Sequence, residues 1–515
     1  MKKSILIIAS AAIYISSFAQ EPADALKFSW YTPGGSARTK AVGGAMGSLG
    51  GDVTATFVNP AGLAFYRTGD FILTPIYQFQ KTKSTYMDTK ASDNTNRFTV
   101  GTTGFVLGGG DDKGNIRNTA FSIAMNRTAD FNNDMLYRGP NNQSSISQKY
   151  VELLNGAGVK DPYAAENNYP NGASLFYNTL WIDSVATPSK LIDHFVTNAP
   201  ISSGLLQQYS VKTRGGINDF ALGVAMHLKN DKFMVGGTLG IPVLNYKRET
   251  EFVEADATDN PNNAFNYGIF SEKLETSGIG VNLKAGLIYK PAEFWRLGLA
   301  IHSPTFFSLT DTYEEHVTLN DDVADDQSWN DDSKNYNNGE PNEFKYDLMT
   351  PYRVIGSISY VIREIQDITK QRGFLTADVE YVNYKASSFS VSDEANTSES
   401  DKNYLKQLNK VIDKAYKGAF NFRVGGELKF TTVMFRLGAA YYSNPYKDIN
   451  GEEGSKLNLS GGLGYRNKGF FVDLTYVHGI NKDVQFAYRL ANSPYYGANI
   501  KNSAGNVLLT VGFKI

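Results

Sequence analysis

From about residue 70 to the C terminus, apolar residues recur at every second position, and no other local pattern restricts the fold as strongly. Between Phe420 and Phe430 one face reads Phe420, Phe422, Val424, Gly426, Leu428 and Phe430, while the other reads Asn421, Arg423, Gly425, Glu427 and Lys429. Trp295, Leu297, Leu299 and Ile301 alternate with Arg296, Gly298, Ala300 and His302, and the chain ends on Val507, Leu509, Val511, Phe513 and Ile515 at alternate positions. A period of two places each set on one face of a strand. Fourteen such segments begin near residues 71, 96, 119, 215, 232, 267, 294, 346, 373, 419, 433, 456, 469 and 506. Their connections alternate between short and long. Short ones fall at Asp111-Asp112, Lys229-Asn230-Asp231, Pro291-Ala292, Glu364 to Arg372, Thr431-Thr432 and Asn467-Lys468. Long ones hold 139–205, 254–264, 317–345, 392–418 and 489–505, with shorter members near 85–95 and 446–455. Six short turns and seven loops suit fourteen antiparallel strands whose two ends lie on one side.

A soluble sandwich also alternates, so the destination of the chain decides the reading. Lys2 and Lys3 precede an apolar run from Ile5 to Ile15 and a small-x-small site, Ser17-Phe18-Ala19, before Gln20. This is the pattern of a cleaved secretory signal peptide over 1–19, too short to span a bilayer as a helix. No later stretch of about 18 apolar residues offers a membrane helix. Outward-parity aromatics gather at the short-turn ends: Phe71, Phe233, Tyr289, Trp295, Tyr360, Phe430, Phe435, Tyr465, Phe470 and Phe513. Such a girdle marks a membrane interface, and strands in lipid must close to pair their backbone groups. The expected fold is all-β: a 14-stranded antiparallel transmembrane β-barrel, residues 69–515, in the cell outer membrane.

Composition then falls into place. The chain carries 31 Tyr, 31 Phe and 48 Gly in 515 residues, yet is hydrophilic on average. A lipid-facing apolar surface around a polar lumen accounts for both. Inward parity places Lys284, Arg296, Arg353, Asp378, Glu380, Arg423, Glu427, Lys429, Arg436 and Asp473 in the lumen. They form either a charge-paired support or a selectivity lining. A net charge of −2 excludes an electrostatically driven nucleic-acid binder, and the absence of cysteine excludes disulfides and thiolate chemistry. The five histidines form no HExxH or close pair, no G-x-S-x-G occurs, and no cofactor, metal centre or catalytic residue is expected. Asp321-Asp322, Asp325-Asp326 and Asp331-Asp332 do not match the spaced calcium loop and read as a solvated acidic loop.

Residues 20–68 break the strand pattern. Gly34-Gly35, Gly43-Gly44, Gly47 and Gly50-Gly51 are followed by neither Gly-Lys-Ser/Thr nor a ribose-reading acid, which argues against a nucleotide site. A small-residue segment ahead of the first strand suits a compact insert in the barrel lumen. The run Ser36-Ala37-Arg38, Gly43-Gly44-Ala45, Gly50-Gly51-Asp52 and Asn59-Pro60-Ala61 resembles the N-terminal hatch of the FadL/TodX family of outer-membrane transporters. That family takes up long-chain fatty acids and aromatic hydrocarbons. The resemblance implies that 20–68 folds back as a plug, with Asn59, Pro60 and Ala61 as its positioning motif. It also implies a kink in the third strand that opens the wall towards lipid. Here that strand runs from Phe121 into Asn126, Arg127 and Asp130, and outward parity for Arg127 would be costly at the membrane midplane unless a bulge relieves it. No individual fatty-acid contact residue of the family is carried over to this chain.

The expected function is therefore passive uptake of a hydrophobic small molecule by a monomer surrounded by outer-membrane lipid and lipopolysaccharide, with no nucleic-acid partner. The alternative is a protein-interaction barrel, similar to the shuttle subunit of a secretion system, using the loops 139–205 and 392–418. An open porin is disfavoured by the need to house 20–68. Helical spacing in 402–417 (Tyr404, Leu408, Val411, Ile412, Ala415, Tyr416) and in Ile146, Tyr150, Val151 and Leu154 predicts amphipathic helices at the rim or around a docking groove.

Overall fold

The computed structural model describes residues 22–514, apart from 31–33, 111–114, 188–190, 229–230, 259, 261–262, 322–326, 363–371, 394–396 and 448–453. Residues 1–19, expected to be a signal peptide, most of the Glu364–Arg372 turn and Asp322, Asp325 and Asp326 lie outside the described residues.

Fourteen antiparallel strands form the wall. They are β1 (Asp70–Leu73 and Pro75–Tyr86), β2 (Thr89–Val100 and Thr103–Gly109), β3 (Ile116–Asp130 and Asn133–Asn141), β4 (Leu205–Leu228) and β5 (Phe233–Asp256). Next come β6 (Tyr267–Ala292), β7 (Trp295–His302 and Phe306–Asp321), β8 (Asn342–Met349 and Arg353–Ile362), β9 (Gly373–Asn383 and Ser388–Val391) and β10 (Gly418–Phe430). The last four are β11 (Val433–Tyr442), β12 (Lys456–Asn467), β13 (Phe470–Gln485) and β14 (Ala498–Lys514). Each pairs with its sequence neighbour, and β14 returns to β1 through Phe513↔Phe71 and Ile500↔Ser84, so the sheet closes. Closure removes the edges that lipid could not satisfy.

The outward face of β6 locates the bilayer. Tyr289, Leu287, Ala285, Leu283, Val281 and Ile279 are followed on the same face by Ser277, Glu275 and Lys273. The rise from Ile279 to Tyr289, at about 3.4 Å per residue and a tilt near 45°, is about 24 Å, the height of a transmembrane apolar band. Above it the outer surfaces of β5 to β7 carry a ladder of ion pairs, Lys247–Glu275 at 3.5 Å and Lys273–Glu314 at 3.3 Å. The lower girdle consists of cross-strand aromatic pairs: Phe233–Tyr289 with centroids 4.8 Å apart, Trp295–Tyr360 at 5.0 Å, Phe430–Phe435 at 5.9 Å and Phe470–Phe513 at 5.2 Å.

Two connections differ from the sequence reading. The segment near 85–95 is not a loop: strands run through it and reverse at Met87-Asp88, both with positive φ of 44° and 62°, as a two-residue hairpin requires. Strand β7 continues to Asp321 and pairs back with Gln327–Asp332, so much of 317–345 is ladder. There Asp331 accepts from Tyr336 Oη at 2.6 Å and Asp332 caps Lys334 N at 2.9 Å. Among the described residues no group of three acidic or histidine side chains converges to hold a metal.

The hatch segment contributes α1 (Pro22–Ser29), α2 (Ala37–Ala41), α3 (Ala55–Val58) and a 3-10 turn (Pro60–Phe65), packed within the barrel. The loop after β3 folds into α4 (Ser147–Gly156), α5 (Pro162–Asn167), α6 (Ala173–Asn178) and a hairpin of Ile182–Ala186 with Ile192–Thr197. Its Tyr150, Leu154, Phe176, Trp181 and Phe195 bury against Phe252 and Phe270 of the wall, forming a cap over the extracellular mouth. The last helix, α7 (Glu399–Ala415), is capped by Ser398, whose Oγ accepts from Asp401 N at 3.1 Å. It buries Leu405, Leu408 and Ile412 against the barrel mouth and α1. Leu405 belongs to this stripe although the sequence pattern passed over it, and Tyr404 sits at its margin.

Candidate functional site

The lower lumen is filled by hatch backbone held from nearly every side. Met46 N and Gly47 N both donate to Asp378 Oδ2 at 3.1 Å. Arg296 Nη1 donates to Leu49 O at 2.8 Å, His302 Nε2 lies 2.9 Å from Val58 O, and Asn118 Nδ2 donates to Ala64 O at 3.0 Å. On the opposite wall Ala37 N donates to Thr510 Oγ1 at 2.7 Å and Thr475 Oγ1 donates to Ala37 O at 2.7 Å. Exposed hatch amides and carbonyls, lacking long helices to absorb them, are satisfied by the lumen-facing pleats. Close approach also needs glycine on the wall. A Cβ on Gly298 would meet Gly47 O at 2.2 Å, and one on Gly438 would meet Gly43 N at 2.1 Å.

The motif Asn59-Pro60-Ala61 sits at the centre of this packing. Asn59 is 1% exposed; its Oδ1 accepts from Ala61 N at 3.2 Å and its Nδ2 donates to Gly47 O at 2.6 Å. Pro60 opens the 3-10 turn, where its missing N–H costs nothing.

The expected lumen charges all point inward, all but the half-buried Lys429 are buried, and most of them are held in ion pairs. Lys284 Nζ lies 2.9 Å from Asp219 Oδ2. Glu380 holds Arg423 at 2.9 Å and Arg353 at 3.8 Å, while Arg436 bridges Glu427 at 2.6 Å and Asp473 at 2.5 Å. Arg38 of the hatch joins that second cluster through Glu427 at 3.5 Å. Buried ions survive only with such pairing, so this arrangement ties the wall to itself and to the hatch. Arg296 is engaged by the Leu49 carbonyl and lies over the Phe65 ring at 4.5 Å.

Strand β3 carries the third expected group. Its register against β4 shifts between Arg127 and Ala129, a bulge at Thr128. Arg127 is drawn into the wall: Nε donates to Asp130 Oδ2 at 2.7 Å and Nη2 to Gly215 O at 2.5 Å. Asn126 is fully buried, accepts from Thr102 Oγ1 at 2.9 Å and abuts the hatch, where a Cβ on Gly34 would come within 2.0 Å of Asn126 Oδ1. The β2–β3 ladder runs from Gly109↔Thr119 to Thr103↔Met125 and ends there. Beyond it, among the described residues, Thr89–Val100 is paired with β1 and Asn133–Asn141 with β4, and no ladder joins them to each other. Instead β3 leans on the first hairpin through side chains, Gln80 Nε2 donating to Asn133 Oδ1 at 2.6 Å and Ser84 Oγ to Leu136 O at 2.6 Å.

At the level of this bulge a cavity of about 60 Å³ lies between the hatch and the wall. Phe28, Ser29 and Trp30 form its hatch side; Thr128, Ala129, Pro242, Lys284, His302 and Arg353 are among its wall residues. The breaks in β7 (Ser303-Pro304-Thr305) and β8 (Thr350-Pro351-Tyr352) border it, with Thr305 N donating to Thr350 Oγ1 at 2.9 Å. Above it stands an aromatic cluster: Phe28, Phe131 and Tyr246 pack edge-on with centroids 5.3 to 5.8 Å apart, and Trp30 stacks on Tyr384 at 5.8 Å. Lys27 Nζ lies 4.3 Å above the Tyr246 ring, and Arg353 Nη2 donates to Ser29 O. The cavity is smaller than the roughly 150 Å³ that accommodates benzene in an engineered core, so the end of α1 occupies the space a ligand would need. Sequence patterning missed these aromatics because they come from four separate elements, the end of α1 and strands β3, β5 and β9. The prolines inside β7 and β8 were the available signal, since proline within a strand marks an interruption.

Comparison with solved structures agrees with this architecture. The fold is similar to that of a Pseudomonas aeruginosa FadL homologue, at 14% identity over 94% of this chain and 99% of that one, with a TM-score of 0.52. It is also similar to the P. putida toluene transporter TodX, at 13% identity over the same shares and a TM-score of 0.50. No protein-family model and no curated protein matches the chain. The fold is thus a FadL/TodX-like plugged barrel.

Proposed function

We propose that this chain is an outer-membrane channel for passive uptake of hydrophobic small molecules. The observation that carries the reading is the aromatic cluster of Phe28, Trp30, Phe131 and Tyr246 above the chamber at the β3 bulge, filled by the end of α1 at the level where the β2–β3 ladder stops. A greasy molecule entering beside the cap exchanges water for Phe28, Phe131, Tyr246 and Trp30. Displacing Phe28 and Trp30 enlarges the chamber, and Thr128 and Ala129 then give onto the unladdered side of the wall, an exit towards lipid. The solved barrels of the same fold include a toluene transporter, which supports the substrate class.

In this reading residues 20–68 act as the plug, Asn59, Pro60 and Ala61 fix its lower half, and Asn126, Arg127 and Asp130 hold the kink. Arg423, Glu427 and Arg436 support the wall, and Lys284 and Arg353, each already paired with a carboxylate of the wall, give the floor of the chamber a polar edge. The protein-interaction alternative draws less support, because the cap buries its large aromatics against the barrel instead of presenting them outward.

The test is entry of toluene and of a fluorescent long-chain fatty acid into liposomes containing the purified protein. Entry no faster than into empty liposomes overturns the proposal. Acceleration of one ligand and not the other names the substrate class.

A further inference from the structure

On the outer face of the barrel, at the end away from the short turns, three lysines stand side by side on consecutive strands. Lys83 of β1 is directly opposite Lys501 of β14, and Lys501 is directly opposite Lys482 of β13. Directly opposed residues of antiparallel strands share a face, with Cβ atoms about 4.5–5.5 Å apart, and like charges so placed repel. All three are exposed, and none forms an ion pair among the described residues. Lys81, Lys90 and Arg138 line the same cleft of about 1090 Å³, in which Asp483 is the single carboxylate among the lining residues. By strand alternation Asp483 belongs to the other face from its neighbour Lys482.

The position of this row on the wall names its counter-charge. On the same outward face, one to three steps nearer the membrane, stand Phe79 and Tyr77 of β1, Tyr476 and Ile480 of β13 and Val507 of β14. Phe79, Tyr476, Tyr77 and Ile480 are exposed, and Phe79 stacks on Tyr476 with centroids 6.2 Å apart. Positive charge therefore begins where the lipid-facing apolar band ends, at headgroup depth, and repels itself unless an anion lies across it. A soluble anion has no use for the apolar surface beneath.

We propose that Lys83, Lys482 and Lys501 bind the phosphate of a phosphorylated lipid headgroup in the outer leaflet, whose acyl chains lie on Phe79 and Tyr476. The site is external and independent of the lumenal pathway.

The experiment uses the full-length protein in neutral detergent, with binding followed by native mass spectrometry and thermal melting. Probes are monophosphoryl lipid A, a glycolipid of matching chain length without phosphate, and inorganic phosphate alone. The wild type should bind the phosphorylated lipid and melt higher with it. The triple variant Lys83→Gln/Lys482→Gln/Lys501→Gln should lose about 100-fold in affinity, since each lysine near an anionic surface contributes roughly fivefold. Without lipid that variant should melt no lower than wild type, because relieving the repulsion removes no favourable contact; this also shows that it folds. Equal binding by variant and wild type, or equal binding of the phosphate-free glycolipid, overturns the proposal. An equal shift with inorganic phosphate alone overturns it too, in favour of a free-anion site.

Discussion

Asn59 Oδ1 occupies the space that a side chain on Gly286 would need: a Cβ built there would stand 1.9 Å away. The hatch motif and β6 are therefore fitted to each other, and each is open to a separate substitution. Gly286→Ala should push Asn59 off the wall, while Asn59→Ala should leave the buried Gly47 carbonyl without its donor, at about 1–3 kcal/mol. Both variants should loosen the plug without breaking the wall ladder. Single-channel recordings in planar bilayers should then show openings absent from wild type, and deleting 20–68 should give the largest conductance. Silent recordings from all three would argue against the plug.

The Glu380 carboxylate holds two arginines, and Arg423 is fully buried. Glu380→Ala should strand that charge and cost about 3–5 kcal/mol, far more than a cavity of that size would. Replacing Glu380 by Leu together with Arg423 by Met should recover most of the loss. The temperature at which the barrel loses its compact mobility on electrophoresis reports both effects. If the double variant melts as low as the single one, the pair is not the source of the cost.

The protein has no cysteine, so an introduced disulfide can be read cleanly. An ideal Cβ on Gly34 lies 2.5 Å from Asn126 Cγ, so thiols at these two positions fall within bonding reach once the amide is gone. Gly34→Cys/Asn126→Cys should form a bridge on oxidation and tie the hatch to the β3 kink. Uptake into liposomes should fall under oxidising conditions and recover with reductant. Full transport by the oxidised protein would show that hatch movement at this point is not needed.

How much of this was legible in the sequence follows from which face each strand shows to which solvent. Within the bilayer, Leu457, Leu459, Leu463 and Tyr465 meet lipid while Asn458 and Ser460 point inward, Ser460 donating to Ala41 O of the hatch, so alternation is sharp and the strand count comes out at fourteen. Outside it the signal fades. On β1 and β2 the segment near 85–95 is largely polar, with Thr85, Thr89, Lys90, Ser92, Asp93, Asn94 and Thr95, and reads as a loop, although it is continuous ladder around Met87-Asp88. For the same reason β4 begins at Leu205 and not at 215, its outer end carrying Ser210, Lys212 and Arg214 outward. Asn59-Pro60-Ala61 could be recognised because one short segment carries the whole motif. The chamber could not, because Phe28, Phe131, Tyr246 and Tyr384 meet only after α1 and three strands have been assembled.

The cap is held by a carboxylate that resists ionisation. Glu254, near the outer end of β5 and above the lipid band, is fully buried. It accepts from Ser145 Oγ at 2.5 Å, Ile146 N at 3.0 Å and Gln207 Nε2 at 2.7 Å, joining the start of α4 to β4 and β5. Burial pushes its pKa up to about 7 against these hydrogen bonds, and Glu315 beneath the cap is likewise pushed up to about 7 by burial and by neighbouring Glu272. A carboxyl whose pKa is higher when docked binds its proton more tightly in that state. Its contribution to docking is therefore complete below about pH 4.5 and is lost as pH rises through about 7, for a change of at most about 3 kcal/mol at Glu254. Hydrogen exchange across 142–204 should accordingly be slow at pH 5.5 and faster at pH 8, after correction for the intrinsic rate. Glu254→Gln, permanently neutral, should flatten much of that difference, and adding Glu315→Gln should remove the rest. Protection that does not change between the two pH values in wild type would place the control of the cap elsewhere.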